Sequence, residues 1–193
     1  MFISLEGIDG AGKTTLVDAL SLKSNLKPIA KKTVCSDNVF INEQIKKISS
    51  ANYPGYNGKH DPLMSSSYWT YLQCVWFNLI YEYSVAVEIN DSNHVLTDGW
   101  YYKYFAKKIT DKVFTLDALE MIFSQVKAPD IVVLLDIDPS IVTTRKKDIT
   151  YAEAGGHIGK SYSLKSFVEY QTEIRSNLMI LANLKNWIVV NIN

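Results

Sequence analysis

The stretch Phe2 to Leu16, FISLEGIDGAGKTTL, limits what the rest of the chain can become. Met1 to Leu5 is apolar apart from Ser4 and reads as a buried strand. Gly7-Ile8-Asp9-Gly10-Ala11-Gly12-Lys13-Thr14 then matches G-x-x-x-x-G-K-[ST] in full, and Leu16, Val17, Ala19 and Leu20 follow at helical spacing. The glycines let several backbone N–H groups aim into one hollow, and the positive end of the helix adds to the pull on a phosphate. Lys13 is expected to reach the outer phosphates of a nucleoside triphosphate, with Gly7, Asp9, Gly10, Ala11, Gly12, Thr14 and Thr15 lining the cradle. The Thr14 hydroxyl is the expected ligand for Mg²⁺. A glycine-rich turn that binds nothing is the bland alternative, and the agreement of strand, spacing and helix weighs against it.

With 193 residues, a single domain over 1–193 is the default. Formal charge balances at zero, without the basic excess of a typical nucleic-acid binder, so a small-molecule substrate is expected and no nucleic-acid partner. Cys35 and Cys74 have neither metal-ligand spacing nor a disulfide pattern and read as thiols in a reducing compartment. No apolar run is long enough to span a bilayer, and the first residues lack a signal-peptide pattern. The expectation is a soluble, cytoplasmic enzyme without a membrane partner.

Beyond the first helix, Pro28 to Cys35 reads as a second, edge-like strand, and Asp37 as the cap of a short helix carrying Val39, Ile41, Ile45 and Ile48. Ser49 to Pro62 is turn-rich loop, long enough to suggest function. Leu63 to Ile89 reads as one long helix heavy in aromatics, for which core packing competes with a pocket wall or a homodimer interface. His94 to Thr97 is a short strand ending at Asp98, followed by Gly99 to Ala106. A helix is predicted over Leu116 to Val126, then the apolar strand IVVLLD ending at Asp136. Asp138-Pro139 turns into a helix that begins near Ser140 and carries Arg145. Ile149 to Ser163 has three glycines and no periodicity, and reads as a mobile lid. A helix over Leu164 to Leu184 and a last strand over Trp187 to Ile192 complete the chain. Strand alternating with helix predicts an α/β fold, a parallel sheet of about five strands covered by helices on both faces.

In such a sheet ligands gather at the carboxyl ends of the strands, which puts the phosphate loop, Asp98, Asp136 and Asp138 on one rim. Asp98, which opens no obvious helix, is a candidate for holding Mg²⁺ or for accepting a proton; Asp138, just before Pro139 at a helix start, reads rather as a helix cap. Asp9, repelled by phosphate, should face an acceptor hydroxyl. His60, His94 and His157 form no metal cluster; His157 and Lys160 on the lid could reach a phosphate.

These motifs resemble the thymidylate kinase family of nucleoside monophosphate kinases. FISLEGIDGAGKTTL is similar to the family's opening, HVLTDGWYYKYFA to its strand-plus-DRY segment, and APDIVVLLDIDPSIVTTR to its later strand, DxDP turn and Arg. The lid and YQTEIRSNLMILA are similar to the family's lid and C-terminal helix. The resemblance implies ATP and Mg²⁺ in the loop, Arg145 on the nucleotide, an acceptor placed near Asp9 and Asp98 with Asp9 on its sugar 3′-hydroxyl, and a catalytic arginine supplied from the lid.

The chain departs from that pattern in its cations. Gly99 replaces the DRY arginine, TVCSDN (Thr33 to Asn38) replaces an arginine-bearing segment, and arginine occurs only at Arg145 and Arg175. Lysine does not reproduce the forked grip of arginine on phosphate. Either lysines substitute, with Lys103 and Lys160 the candidates, or the acceptor is less charged than a nucleoside monophosphate. A kinase for a neutral hydroxyl acceptor and a nucleotide-binding protein without transferase activity are therefore the alternatives. A regulatory GTPase is disfavoured by the lack of an N-K-x-D signature.

Overall fold

The computed structural model describes residues 1–31, 34–53, 64–89, 93–146 and 148–192. Strand β1 (Phe2–Glu6) is central among five parallel strands in these residues, ordered β2 (Leu26–Ile29), β3 (His94–Thr97), β1, β4 (Ile131–Asp136), β5 (Ile188–Asn191). The helices are α1 (Lys13–Ser21), α2 (Val39–Asn52), α3 (Ser66–Ile80), α4 (Ala86–Glu88), α5 (Tyr102–Thr110), α6 (Leu116–Ile122), α7 (Pro139–Arg145) and α8 (Leu164–Leu184). They flank the sheet, as the alternation of strand and helix predicts.

The two-residue period of a strand explains why both faces of β1 are covered. Leu5 packs with Leu96 of β3 against Val17 of α1. Phe2 faces the other way, into a larger cluster with Val95, Val132 and Leu134 that takes in Trp100 and Phe105 near α5 and Phe167 and Ile174 of α8. Ser4 and Glu6 share that second face and are fully buried. The edge strand β5 is exposed at all four residues, so burial on both faces holds for the inner strands only.

Several element boundaries differ from the sequence reading. Strand β2 ends at Ile29 instead of running to Cys35, because its partner β3 offers only four residues for pairing, from Leu26↔His94 to Ile29↔Thr97. Asn38, not Asp37, caps α2: its side-chain oxygen accepts from Ile41 N at 3.2 Å, and the helix runs on through Asn52. The single helix expected over Leu63 to Ile89 starts at Ser66 under a Ser65 cap and is broken by a π-helical turn at Tyr81–Val85. The extra residue in that turn has a packing reason: Trp76 and Ile80 are buried four apart, and the next inward position is taken by Val85 instead of Ser84. Within α3, Trp69, Trp76 and Phe77 turn inward, while Tyr68, Tyr71 and Val75 stay at the surface. Helix α6 stops at Ile122, with Val126 N closing a turn onto Phe123 O. Strand β5 is one residue shorter at each end than predicted. Helix α5 has no counterpart in the sequence reading, since its N-terminus at Tyr101 carries no side-chain cap.

The 3₁₀ turn Gly156–Ile158 lies in the segment expected as a lid, 149–163, which packs on α5 and α8. Ala154 is fully buried, His157 Nε2 lies 3.0 Å from Asp111 Oδ2, and Tyr170 OH donates to Asp111 Oδ1 at 2.7 Å. His60 and most of the turn-rich loop fall outside the described residues.

Candidate functional site

The carboxyl ends of β1 and β3 and the start of α1 meet at one point. Gly10 and Gly12 both sit at φ +82°, a left-handed conformation that glycine adopts without penalty. Gly10 is irreplaceable for a second reason, since a Cβ there would stand 2.3 Å from Val142 Cγ1 on α7. Gly12 caps α1 and faces open space, with no atom within 4 Å of where its Cβ would be. The first N–H groups of α1, on Lys13, Thr14 and Thr15, follow directly on that exposed residue, and a helix start leaves them without intrahelical partners.

Lys13 arches back over this loop, donating to Gly7 O at 2.9 Å and to Ile8 O at 2.8 Å. Burial, reinforced by repulsion from Lys103 and opposed by Asp9 and Glu6, lowers its pKa to about 7. Thr14 Oγ1 donates to Asp98 Oδ2 at 3.0 Å. A hydroxyl and a carboxylate side by side at the start of α1 are hard oxygen donors of the kind Mg²⁺ takes. The residues therefore fit a nucleoside triphosphate with its metal ion.

Asp9 leaves the loop in another direction. Its carboxylate meets Lys103 Nζ at one oxygen and lies 3.4 Å from Lys107 Nζ at the other, both lysines on α5. Burial pushes the Asp9 pKa up, but the two ammonium groups outweigh it and hold the carboxyl well below its usual range. Gln171 of α8, fully buried, steadies the same residue: its Oε1 accepts from Asp9 N at 3.1 Å, and its Nε2 donates to Glu153 O at 2.9 Å in the lid segment.

The remaining acids of the rim have other partners. Asp136 is clamped by Arg175 of α8 through Nε at 2.5 Å and Nη2 at 2.7 Å. Asp138 caps α7, accepting from Ser140 N at 2.8 Å. Of the candidate cations, Arg145 is exposed at the end of α7, and Lys160 Nζ sits 3.1 Å from Glu173 Oε1 on α8. Thus Thr14 and Asp98 come together, as do Asp9 and Lys103, while Lys160 pairs outside both groups.

No protein-family profile matches the sequence, and no curated protein sequence matches it. Among solved structures, thymidylate kinase from Ehrlichia chaffeensis is similar over 100% of this chain and 86% of that one, with a TM-score of 0.55 and 18% identity. This is the thymidylate kinase fold.

Within the thymidylate kinase fold, two residues join the site that the motifs did not flag. Lys31, two residues beyond β2, lies with its amine 3.2 Å from Asp98 Oδ1 and 3.2 Å from Asp98 O. Glu6 is buried at the base of the loop, where Trp100 N donates to its Oε1 at 2.6 Å while its Oε2 has no hydrogen-bond partner. Burial raises the Glu6 pKa despite that bond and the lysines nearby. A charged residue ending an apolar strand was the available signal for Glu6. Lys31 carried none, because only the parallel pairing of β2 with β3, Ile29 opposite Thr97, brings it to Asp98.

Proposed function

We propose that this protein is an ATP- and Mg²⁺-dependent phosphotransferase that moves the γ-phosphoryl group of ATP to a nucleoside monophosphate of the dTMP type. The observation that carries this reading is the 3.0 Å contact between Thr14 Oγ1 and Asp98 Oδ2 at the mouth of the phosphate loop. Mg²⁺, when bound, would neutralise charge that builds on the transferring phosphoryl group, and Thr14 and Asp98 are the residues that would hold it. Lys13 turns from the loop carbonyls to the outer phosphates, and Arg145, at the exposed end of α7, borders the nucleotide. Asp9 accepts a hydrogen bond from the sugar 3′-hydroxyl and so orients the acceptor, while Lys103 keeps Asp9 ionised and adds positive charge beside the transferring group. Lys160, engaged by Glu173, receives no role.

The second reading, a kinase for a neutral hydroxyl acceptor, is favoured by the arginines alone: one is committed to Asp136, and the other lies at the outer end of α7. Coupled ADP release with dTMP, thymidine and a panel of other nucleotides and nucleosides separates the two. Turnover with monophosphates supports the first reading, and turnover with neutral acceptors alone supports the second. ATP binding without turnover in a folded sample would remove both.

A further inference from the structure

A cavity of about 470 Å³ lies apart from the phosphate loop, among Tyr101, Tyr102, Phe105, Glu120, the 123–128 turn and Lys185. A second hollow of about 300 Å³ adjoins it at the first residues of β4 and β5, and Tyr102 and Lys185 line both. Small-molecule sites span roughly this size range. In a parallel sheet the amino ends of β4 and β5 are remote from the rim where Thr14 meets Asp98, so nucleotide and acceptor have no claim on this space. Its floor is aromatic. Tyr101, Tyr102, Phe105 and Phe123 are nearly buried and meet tilted or edge-on, with ring centres 4.5 to 6.0 Å apart. Another flat ring packs against such a floor in the same way.

The polar groups of the cavity are mostly donors. Tyr101 OH donates to Tyr102 OH at 3.5 Å, which leaves the Tyr102 hydrogen without an acceptor among the described residues. Burial raises the pKa of both phenols, so both stay protonated. Lys127 and Lys185 set two cations in the wall against one acid, Glu120. Glu120 pairs with Lys185, but an ammonium has three hydrogens and that pair uses one. Asp130, in the second hollow, is committed to Phe2 N at 2.7 Å. Lys185 Nζ stands 6.0 Å from the centre of the Tyr102 ring, so one carboxylate can reach the amine and the phenol together. We infer that this cavity is a second binding site, for a small aromatic carboxylate. The ring lies on the aromatic floor, and Lys185 and Tyr102 share the carboxylate.

The test titrates the full chain, free of nucleotide, with 2-naphthoate and with its uncharged amide. Calorimetry gives the affinity, and the indole N–H resonance of Trp187, whose ring lies 4.7 Å from that of Tyr102, gives the place. The naphthoate should bind at one site with a Kd of about 1 mM or tighter, as its atom count implies. It should move the Trp187 signal, and the amide should bind about tenfold more weakly. Lys185→Met should weaken naphthoate binding about tenfold and Tyr102→Phe about threefold. Glu120→Gln, which frees Lys185, should tighten it severalfold. Thermal melting checks each variant; should Lys185→Met unfold, Tyr102→Phe and Glu120→Gln decide by their opposite signs. Absence of saturable binding, equal affinity for acid and amide, or unchanged affinity in a folded Lys185→Met overturns the inference. Displacement of the naphthoate by a non-hydrolysable ATP analogue overturns it too, since the ligand would then sit at the phosphate loop. None of these outcomes bears on the phosphotransferase reading.

Discussion

Thr14 and Asp98 stand 84 residues apart in sequence and meet at 3.0 Å, because β1 and β3 are parallel neighbours and both end at the same rim. Neither residue is buried by this contact, so it can open to admit an ion without unfolding anything. The metal reading is therefore tested by removing either oxygen. Thr14→Ala and Asp98→Asn should each lower kcat by about two orders of magnitude or more, the scale expected when several kcal/mol of charge stabilisation is removed. The dependence of rate on Mg²⁺ concentration should shift upward in both. A variant with an unchanged rate and unchanged Mg²⁺ titration would end the assignment.

Lys13 offers a proton to follow. Its pKa is about 7 while it rests on Gly7 O and Ile8 O, against about 10.4 in an unfolded chain. Between those values the unfolded chain binds the extra proton, so stability of the nucleotide-free protein should rise with pH across that window. Phosphate oxygens beside the amine favour its charged form, so binding of an ATP analogue at pH 8 should take up a proton. Calorimetry in buffers of different ionisation heat reads this directly, and Lys13→Met should abolish the uptake along with turnover. Equal uptake in Lys13→Met would assign the proton to another group.

The Asp9 carboxylate holds Lys103 and Lys107 together, and its removal leaves those amines and Lys13 repelling one another in a half-buried space. Asp9→Asn should cost about 1–3 kcal/mol of stability at pH 7, seen in denaturant unfolding. Because the folded pKa is depressed, the stabilisation is fully present above the unfolded value of about 3.9 and is lost as pH falls through the folded one. The gap between Asp9→Asn and the unaltered protein should therefore narrow below pH 4. Lys103→Ala should lower kcat; an unchanged rate would leave Lys103 a purely structural partner of Asp9.

Arg175 and Asp136 test the opposite kind of role. Their two-point pairing joins α8 to the end of β4 and uses up one of the chain's two arginines. Arg175→Met should lower stability by about 1–2 kcal/mol, a value reduced from that of a buried pair because the guanidinium is partly exposed. The KM values for ATP and acceptor should stay where they were. A large change in KM with no change in melting temperature would mean that Arg175 touches substrate.

The clearest sequence signals were those in which chemistry and periodicity coincide over a short span. The strand, glycine-rich turn and helix start of Phe2 to Ser21 are legible because glycine, lysine and threonine at fixed offsets have few other uses after a strand. Helix α8 is legible over Leu164–Leu184 because its apolar spacing is long and uninterrupted. Boundaries that depend on a partner's length, as β2 does on β3, are not written in the strand itself. The same holds for the π-helical turn, which answers to the core that Val85 must reach.

By itself the sequence determined the order of the five strands and of helices α1, α2, α3, α6, α7 and α8, the glycine-rich turn after β1 and the acids near the strand ends, since each follows from local pattern. Only tertiary structure decided how those acids are used: Asp136 goes to Arg175, Asp138 to the start of α7, Asp9 to two lysines and Asp98 to Thr14. It also brought Lys31 to the place beside Gly99. Spacing along the chain sets which way a side chain points, but the partner of a charge is set by which strands lie next to one another. That is a property of the packed sheet, not of any one segment.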